Sequence, residues 1–219
     1  MTRYRKLFYA VSSPFLKMSG AAYRRLRAPR TGTIKVHLGP GQKNYLPGWI
    51  NVDANLISAK IDVWADLRNP LPFHDGSVSA LYSHHVIEHL PDLYAHFREV
   101  ARVLKPGGVF RIGGPNGDNA AKKFVEGDMS WFSSDFPDNR KSLGGRFANF
   151  VFCGHEHLTI LTASFLGEIA KDVGLGDVTV CQPVTQTHYP EFIDATLLAT
   201  EWEDRPECPH TLIIEGRKQ

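Results

Sequence analysis

The sequence predicts an α/β domain built on an open, mostly parallel sheet and preceded by a helical arm. Seven short runs with β-branched or alternating apolar residues read as strands, at 33–38, 49–52, 61–64, 78–83, 109–112, 177–182 and 211–215. Between the fourth and fifth, Leu93 to Leu104 places Phe97, Val100, Ala101 and Leu104 on one helical face. A further helix opens at Thr162 as its N-cap, runs to about Val173 and stops at Gly174. Strands alternating with helices in this way specify parallel pairing. At 219 residues the chain suits one domain, 31–219, with the arm at 1–30.

The arm is set apart by charge. Met1 to Val52 hold ten Lys or Arg and no Asp or Glu, so the rest carries fifteen basic and twenty-three acidic residues, a formal charge of −8. Tyr4, Leu7, Phe8 and Val11 share a helical face, Pro14 interrupts, and Phe15, Met18, Ala22 and Leu26 continue a similar stripe. Such an arm either packs its stripe on the domain with its arginines solvated, which is the expectation, or lies on an anionic membrane surface. Ser12, Ser13, Pro14 and Lys17 break up any secretory core, and no stretch is long enough to span a bilayer. Cys153, Cys181 and Cys208 are widely spaced with no C-x-x-C, which fits a reducing cytoplasm rather than a disulfide framework or cysteine zinc site. The basic residues gather in the arm rather than around an aromatic platform, which argues against nucleic acid as partner.

Ligand contact is expected first at Gly39-Pro40-Gly41, where two residues without a Cβ let a bulky ligand approach the chain. Asp53 ends the second strand, where an acid can accept hydrogen bonds from ribose hydroxyls or equally cap a helix. Only fourteen positions separate Gly39 from Asp53, with Pro47-Gly48 among them. A parallel crossover usually needs a dozen or more residues and a helix, so the first helix is expected to be vestigial. No G-x-G-x-x-G opens a helix, which disfavours a nicotinamide-dependent oxidoreductase.

The runs LGPG, LPGWINVDAN, ADLRNPLPFHDGSVSALYSHHVIEHL and FREVARVLKPGGVFRIGGPN resemble the class I S-adenosylmethionine-dependent methyltransferases, especially the small bacterial type 11-like group. The resemblance is dense from Ile34 to Asn116 and loose beyond Thr162; its most specific piece is RVLKPGG, Arg102 to Gly108, which is structural. It implies a Rossmann-like sheet of seven strands, with an antiparallel seventh between the fifth and sixth. It also implies a donor, S-adenosylmethionine, held by Gly39, Pro40, Gly41, Asp53 and Ala54. Asp66 would meet the adenine amine, Leu67 the ring, and Ser83 and His84 the methionine part. The acceptor, by analogy, is an oxygen or nitrogen of a small molecule or of a saccharide or cell-envelope precursor. Two residues depart from the pattern: His37 stands where many members place an acid, and Lys43 where a third glycine is common. They leave open a non-catalytic descendant acting as a binding or scaffold module.

His85-x-x-Glu88-His89 would share one face of a helical turn, so two imidazoles and a carboxylate converge there. The spacing is similar to the ExxEH that binds a divalent metal in some O-methyltransferases, with His85 in place of the first Glu. His155-Glu156-His157 offers a further ligand, giving His85, Glu88, His89 and His155 as a metal set suited to Zn, Fe, Ni or Mn. A plainer reading has no metal: His89 caps or packs, and Glu88, His85 or His155 is a general base. Regular patterning fades from 113 to 160, where seven aromatic residues lie among glycines and charges. This stretch reads as a substrate lid or as a satellite hydrophobic cluster.

Overall fold

The computed structural model describes residues 3–56 and 59–219, and of residues 3–11 the backbone alone. Its strands are β1 (Lys35–Leu38), β2 (Ile50–Asp53), β3 (Val63–Trp64), β4 (Val78–His84), β5 (Leu104–Pro115), β6 (Leu175–Cys181) and β7 (Thr211–Lys218). They form one sheet in the order β3-β2-β1-β4-β5-β7-β6. The first five pair in parallel, and β7 runs antiparallel between β5 and β6. The expected sheet is the observed one, with strand ends displaced by a few residues.

Residue alternation divides the core between the two faces of the sheet. Leu81, Phe110 and Ile112 face α2 (Leu93–Val103) and α5 (Ala163–Asp172), which supply Phe97, Val100, Leu166 and Ile169 to the main core. Asp92 caps α2 by accepting the Ala95 N–H at 2.8 Å, and Thr162 caps α5 by accepting that of Phe165 at 3.3 Å. On the opposite face Ala80, Tyr82 and Val109 are covered by Leu46 and Trp49 of the β1–β2 link and by Ile193 and Leu197. No helix lies between β1 and β2, as the short link requires.

The structure departs from expectation at three places. α1 (Arg3–Leu26) runs unbroken through Pro14. Its packed face is Ser12, Leu16 and Gly20, with Tyr23 against Phe73, while Phe15, Met18, Ala22 and Leu26 are exposed. Tyr4, Leu7, Phe8 and Val11 lie outside the described side chains. Second, α2 ends at Val103, and Leu104 already has extended dihedrals, so Lys105–Gly108 form a bulge within β5 rather than its approach. Gly107 takes the left-handed conformation there (φ +74°). Third, 113–160 is more regular than its pattern suggests. It carries the end of β5, α3 (Gly117–Val125), α4 (Leu143–Phe152) and two short 3-10 turns. Trp131, Phe132 and Ala120 are buried there against Leu143, Phe147 and Phe150, which is a satellite cluster.

Beneath β6 and β7 runs a buried charge network. Arg111 of β5 holds Glu201 through Nη2 at 2.6 Å and Glu215 of β7 through Nη1 at 2.6 Å, all three side chains fully buried. Two carboxylates against one guanidinium leave an excess negative charge. It is spread over further donors: the Val184 and His188 N–H groups and the Thr187 hydroxyl.

Candidate functional site

Ligands of an open α/β sheet bind beyond the carboxyl ends of its strands, and here the unusual backbone is found there. Gly39, directly after β1, has φ +71° and donates its N–H to the Val52 carbonyl at 2.9 Å. A β-carbon on it would overlap the Val86 side chain, so only glycine lets the loop lie this close to the end of β4. Asp53 secures the loop from the other side. Its carboxylate accepts the Gly41 N–H at 3.1 Å and the Asn55 N–H at 2.9 Å, which leaves lone pairs for a ligand hydroxyl.

The missing helix is replaced by an asparagine that no sequence motif singles out. Asn51 is fully buried; its Oδ1 accepts the Leu46 N–H at 3.0 Å, and its Nδ2 donates to the Leu46 and Trp49 carbonyls and to Asp62. One amide thus satisfies several backbone groups of a helix-free link. Beside it, His37 pairs with Asn51 through Nδ1 at 3.1 Å and lies 4.9 Å from the Tyr82 ring. Burial lowers His37 to about 4 although the Asn51 bond opposes it, so the ring is neutral at pH 7.

At the end of β4 two buried polar atoms have no partner: Ser83 Oγ and His84 Nε2. The His84 ring stacks on Tyr82 at 6.3 Å, and burial, reinforced by His85 and Arg111, drives its pKa well below the ordinary value. Buried polar groups left bare are rare.

The chain then turns sharply. His85 is left-handed (φ +54°), and Ile87–His89 form a 3-10 turn rather than a helix. Glu88 is fully buried beneath Gly114, where a β-carbon would come within 3.0 Å of its Oε2. His85 Nδ1 lies 3.2 Å from Glu88 Oε1, and its Nε2 lies 3.4 Å from Thr211 Oγ1. Since the carboxylate only accepts, Nδ1 carries a proton toward Glu88, and Nε2 faces the Thr211 hydroxyl. Thr211 also lines a cavity of about 320 Å³, with Asn116, Asn119, Gln182 and Gln186 among its walls.

Of the other expected positions, Pro40 and Ala54 are buried and flank the loop and the end of β2. The Asp66 carboxylate accepts the Arg68 backbone N–H at 2.9 Å and a guanidinium fork at 2.6 to 3.0 Å, so its oxygens are largely engaged. Leu67 packs partly buried on the main core. His155 stands outside the acid and imidazole group at Glu88; the imidazole brought there is His157, whose ring is 5.1 Å from that of His89.

Residues 50–112, from β2 to the middle of β5, match the methyltransferase-domain family. Solved structures align over nearly the whole chain. A methyltransferase described as S-adenosylmethionine-dependent, from Thermotoga maritima and a possible histamine N-methyltransferase, superposes with a TM-score of 0.56 at 14% identity, covering 98% of this chain and 95% of that one. The chain has the class I methyltransferase fold, and the family match lies at its centre. A putative methyltransferase in complex with the Trm112 methyltransferase activator of Haloferax volcanii gives 0.52 at 18% identity, over 97% of this chain and 93% of that one. An S-adenosylmethionine-dependent methyltransferase from Archaeoglobus fulgidus gives 0.52 at 16%, over 96% and 99%. No curated protein matches the sequence. The donor that this methyltransferase family implies is S-adenosylmethionine.

Proposed function

We propose that the protein transfers a methyl group from S-adenosylmethionine to an oxygen or nitrogen of a small polar acceptor, a saccharide or cell-envelope precursor being the class favoured. The observation that carries this reading is the strand edge at β1 and β4, where a glycine is sterically required and two buried polar atoms stand bare. Bound there, the donor supplies an electrophilic methyl group on a sulfonium that leaves as a thioether. Gly39 and Gly41 give it close access to the backbone, Asp53 receives its ribose hydroxyls, and Ser83 and His84 contact its methionine part. Neutral His37 adds a polar neighbour without the charge of an acid. The amide-rich cavity beside Thr211 supports an acceptor with several hydroxyl or amino groups.

His85 is the general base we assign, with Glu88 holding its Nδ1 and its Nε2 3.4 Å from Thr211, one of the residues lining that cavity. Most of the acceleration comes from holding nucleophile and methyl group in line away from water. The α3–α4 segment serves as the lid over that space. The exposed apolar residues of α1, with Lys17 and Arg25 beside them, suit peripheral contact with an anionic membrane.

Calorimetric titration with S-adenosylhomocysteine tests the donor site: micromolar binding that Asp53→Ala abolishes is expected. No binding to folded protein would overturn the enzymatic reading in favour of a scaffold.

A further inference from the structure

Glu88, His89 and His157 bring one carboxylate oxygen and two imidazole nitrogens within 4.8 Å of one another. The ring tautomers are already set. His89 Nδ1 lies 2.9 Å from the Glu156 carbonyl and His157 Nδ1 lies 3.2 Å from that of Val151. A carbonyl can only accept, so both Nδ1 atoms carry the protons and both Nε2 atoms present lone pairs. A ring nitrogen bonded to a backbone carbonyl is the usual support of a metal-bound histidine. Glu88 is fully buried; its Oε1 lies 3.9 Å from His89 Nε2 and 3.2 Å from His85 Nδ1, and its Oε2 has no partner, an arrangement that costs free energy unless a cation or donor completes it.

Backbone strain gathers at the same place. His85, Cys153 and His155 are all left-handed, at φ +54°, +42° and +68°, and they flank the turns that carry these ligands. Two other acid and imidazole groups lack these features. At Cys181, His188 and Glu215 the carboxylate is committed to Arg111, and burial together with Glu215 holds the thiol protonated, its pKa pushed up to about 12. At Glu203, Asp204 and His210 the imidazole Nε2 is engaged by the Trp131 carbonyl.

We propose that Glu88, His89 and His157 bind a divalent transition-metal cation. Two imidazoles and one carboxylate suit Zn²⁺, Fe²⁺, Co²⁺ or Ni²⁺ in preference to Mg²⁺ or Ca²⁺. With His89 exposed and His157 half-buried, coordination positions remain open to water or to an acceptor oxygen. The ion would also pin the loop after α4 to the turn after β4, already joined by the Leu158 N–H to Glu88 carbonyl bond at 2.7 Å. This site rests on its own geometry and not on methyl transfer.

The test is titration of untagged, metal-free protein with Co²⁺, read by its visible absorption and by calorimetric competition with Zn²⁺. One ion per chain is expected, with affinity reduced roughly tenfold or more in His89→Ala and in His157→Ala and unchanged in His155→Ala. Glu88→Gln should lose binding too; as it is buried, the two histidine variants carry the decision. Absence of stoichiometric binding to folded protein overturns the site, as does binding that survives both histidine changes. S-adenosylhomocysteine binding by the metal-free protein reports separately on the donor site.

Discussion

Gly39 and Gly41 differ in a way that substitution exposes. Both have positive φ, but a methyl group at Gly41 meets open space whereas one at Gly39 runs into Val86. Gly41→Ala should therefore cost about 1 kcal/mol of backbone strain, and Gly39→Ala about 2 to 4 kcal/mol together with much of the affinity for S-adenosylhomocysteine, as urea denaturation and calorimetry will show. His85→Ala should lower kcat by roughly 10²- to 10⁴-fold while leaving S-adenosylhomocysteine binding intact. A parallel loss of binding would instead give His85 a donor-holding role. At this scale the glycine loop and Asp53 were readable, because their geometry is set within a few residues. His157 and Asn51 were not. The choice between His155 and His157 turns on the left-handed residues after α4, and Asn51 matters only once the helix beside it is known to be absent. Nothing local announces either condition.

For whole elements, periodicity located α2, α5 and every strand, and it misjudged α1. The stripe of large apolar residues at Phe15, Met18, Ala22 and Leu26 suggested the packed face; the helix instead lays Leu16 and Gly20 on the domain. Close approach explains the inversion. A β-carbon on Gly20 would stand 3.4 Å from Ala65 and 3.8 Å from Pro72, so small residues set the contact distance while the bulky ones point outward. Leu16→Ala should thus destabilise by about 2 to 4 kcal/mol. Phe15→Ser with Met18→Ser should change stability by less than about 1 kcal/mol. If the outward face meets lipid, the same pair should abolish sedimentation with phosphatidylglycerol vesicles. Retained sedimentation would leave the arm's charge alone responsible. The α3–α4 segment was hidden for a different reason: its helices bury one another's aromatic residues, so their pattern follows a local cluster rather than the main sheet.

The molecule as a whole carries a pH dependence in its buried imidazoles. His37 and His96 both fall from 6.5 to about 4, in each case chiefly through burial. Below 6.5 the unfolded chain takes up protons that the native state refuses, so stability is full above about pH 6.5, declines as pH falls, and levels off near 4. The slope should be about 1.4 kcal/mol per pH unit for each histidine, measurable as a falling urea midpoint between pH 7.5 and 5. A flat profile would mean that both rings are hydrated. Sheet order was legible at this scale through the family resemblance that the Arg102–Gly108 motif and its neighbouring runs carry, whereas the Arg111, Glu201 and Glu215 network joins residues 90 and 104 positions apart. The face of the sheet that lost its crossover helix has a further consequence. Part of its cover, Leu46 and Trp49, precedes the strands it protects, but the rest, Ile193 and Leu197, is made long after them. Ile193 and Leu197 complete the cover over Ala80, Tyr82 and Val109, so this face of the sheet closes later in synthesis than the face under α2 and α5 and is the part that a chaperone would shelter.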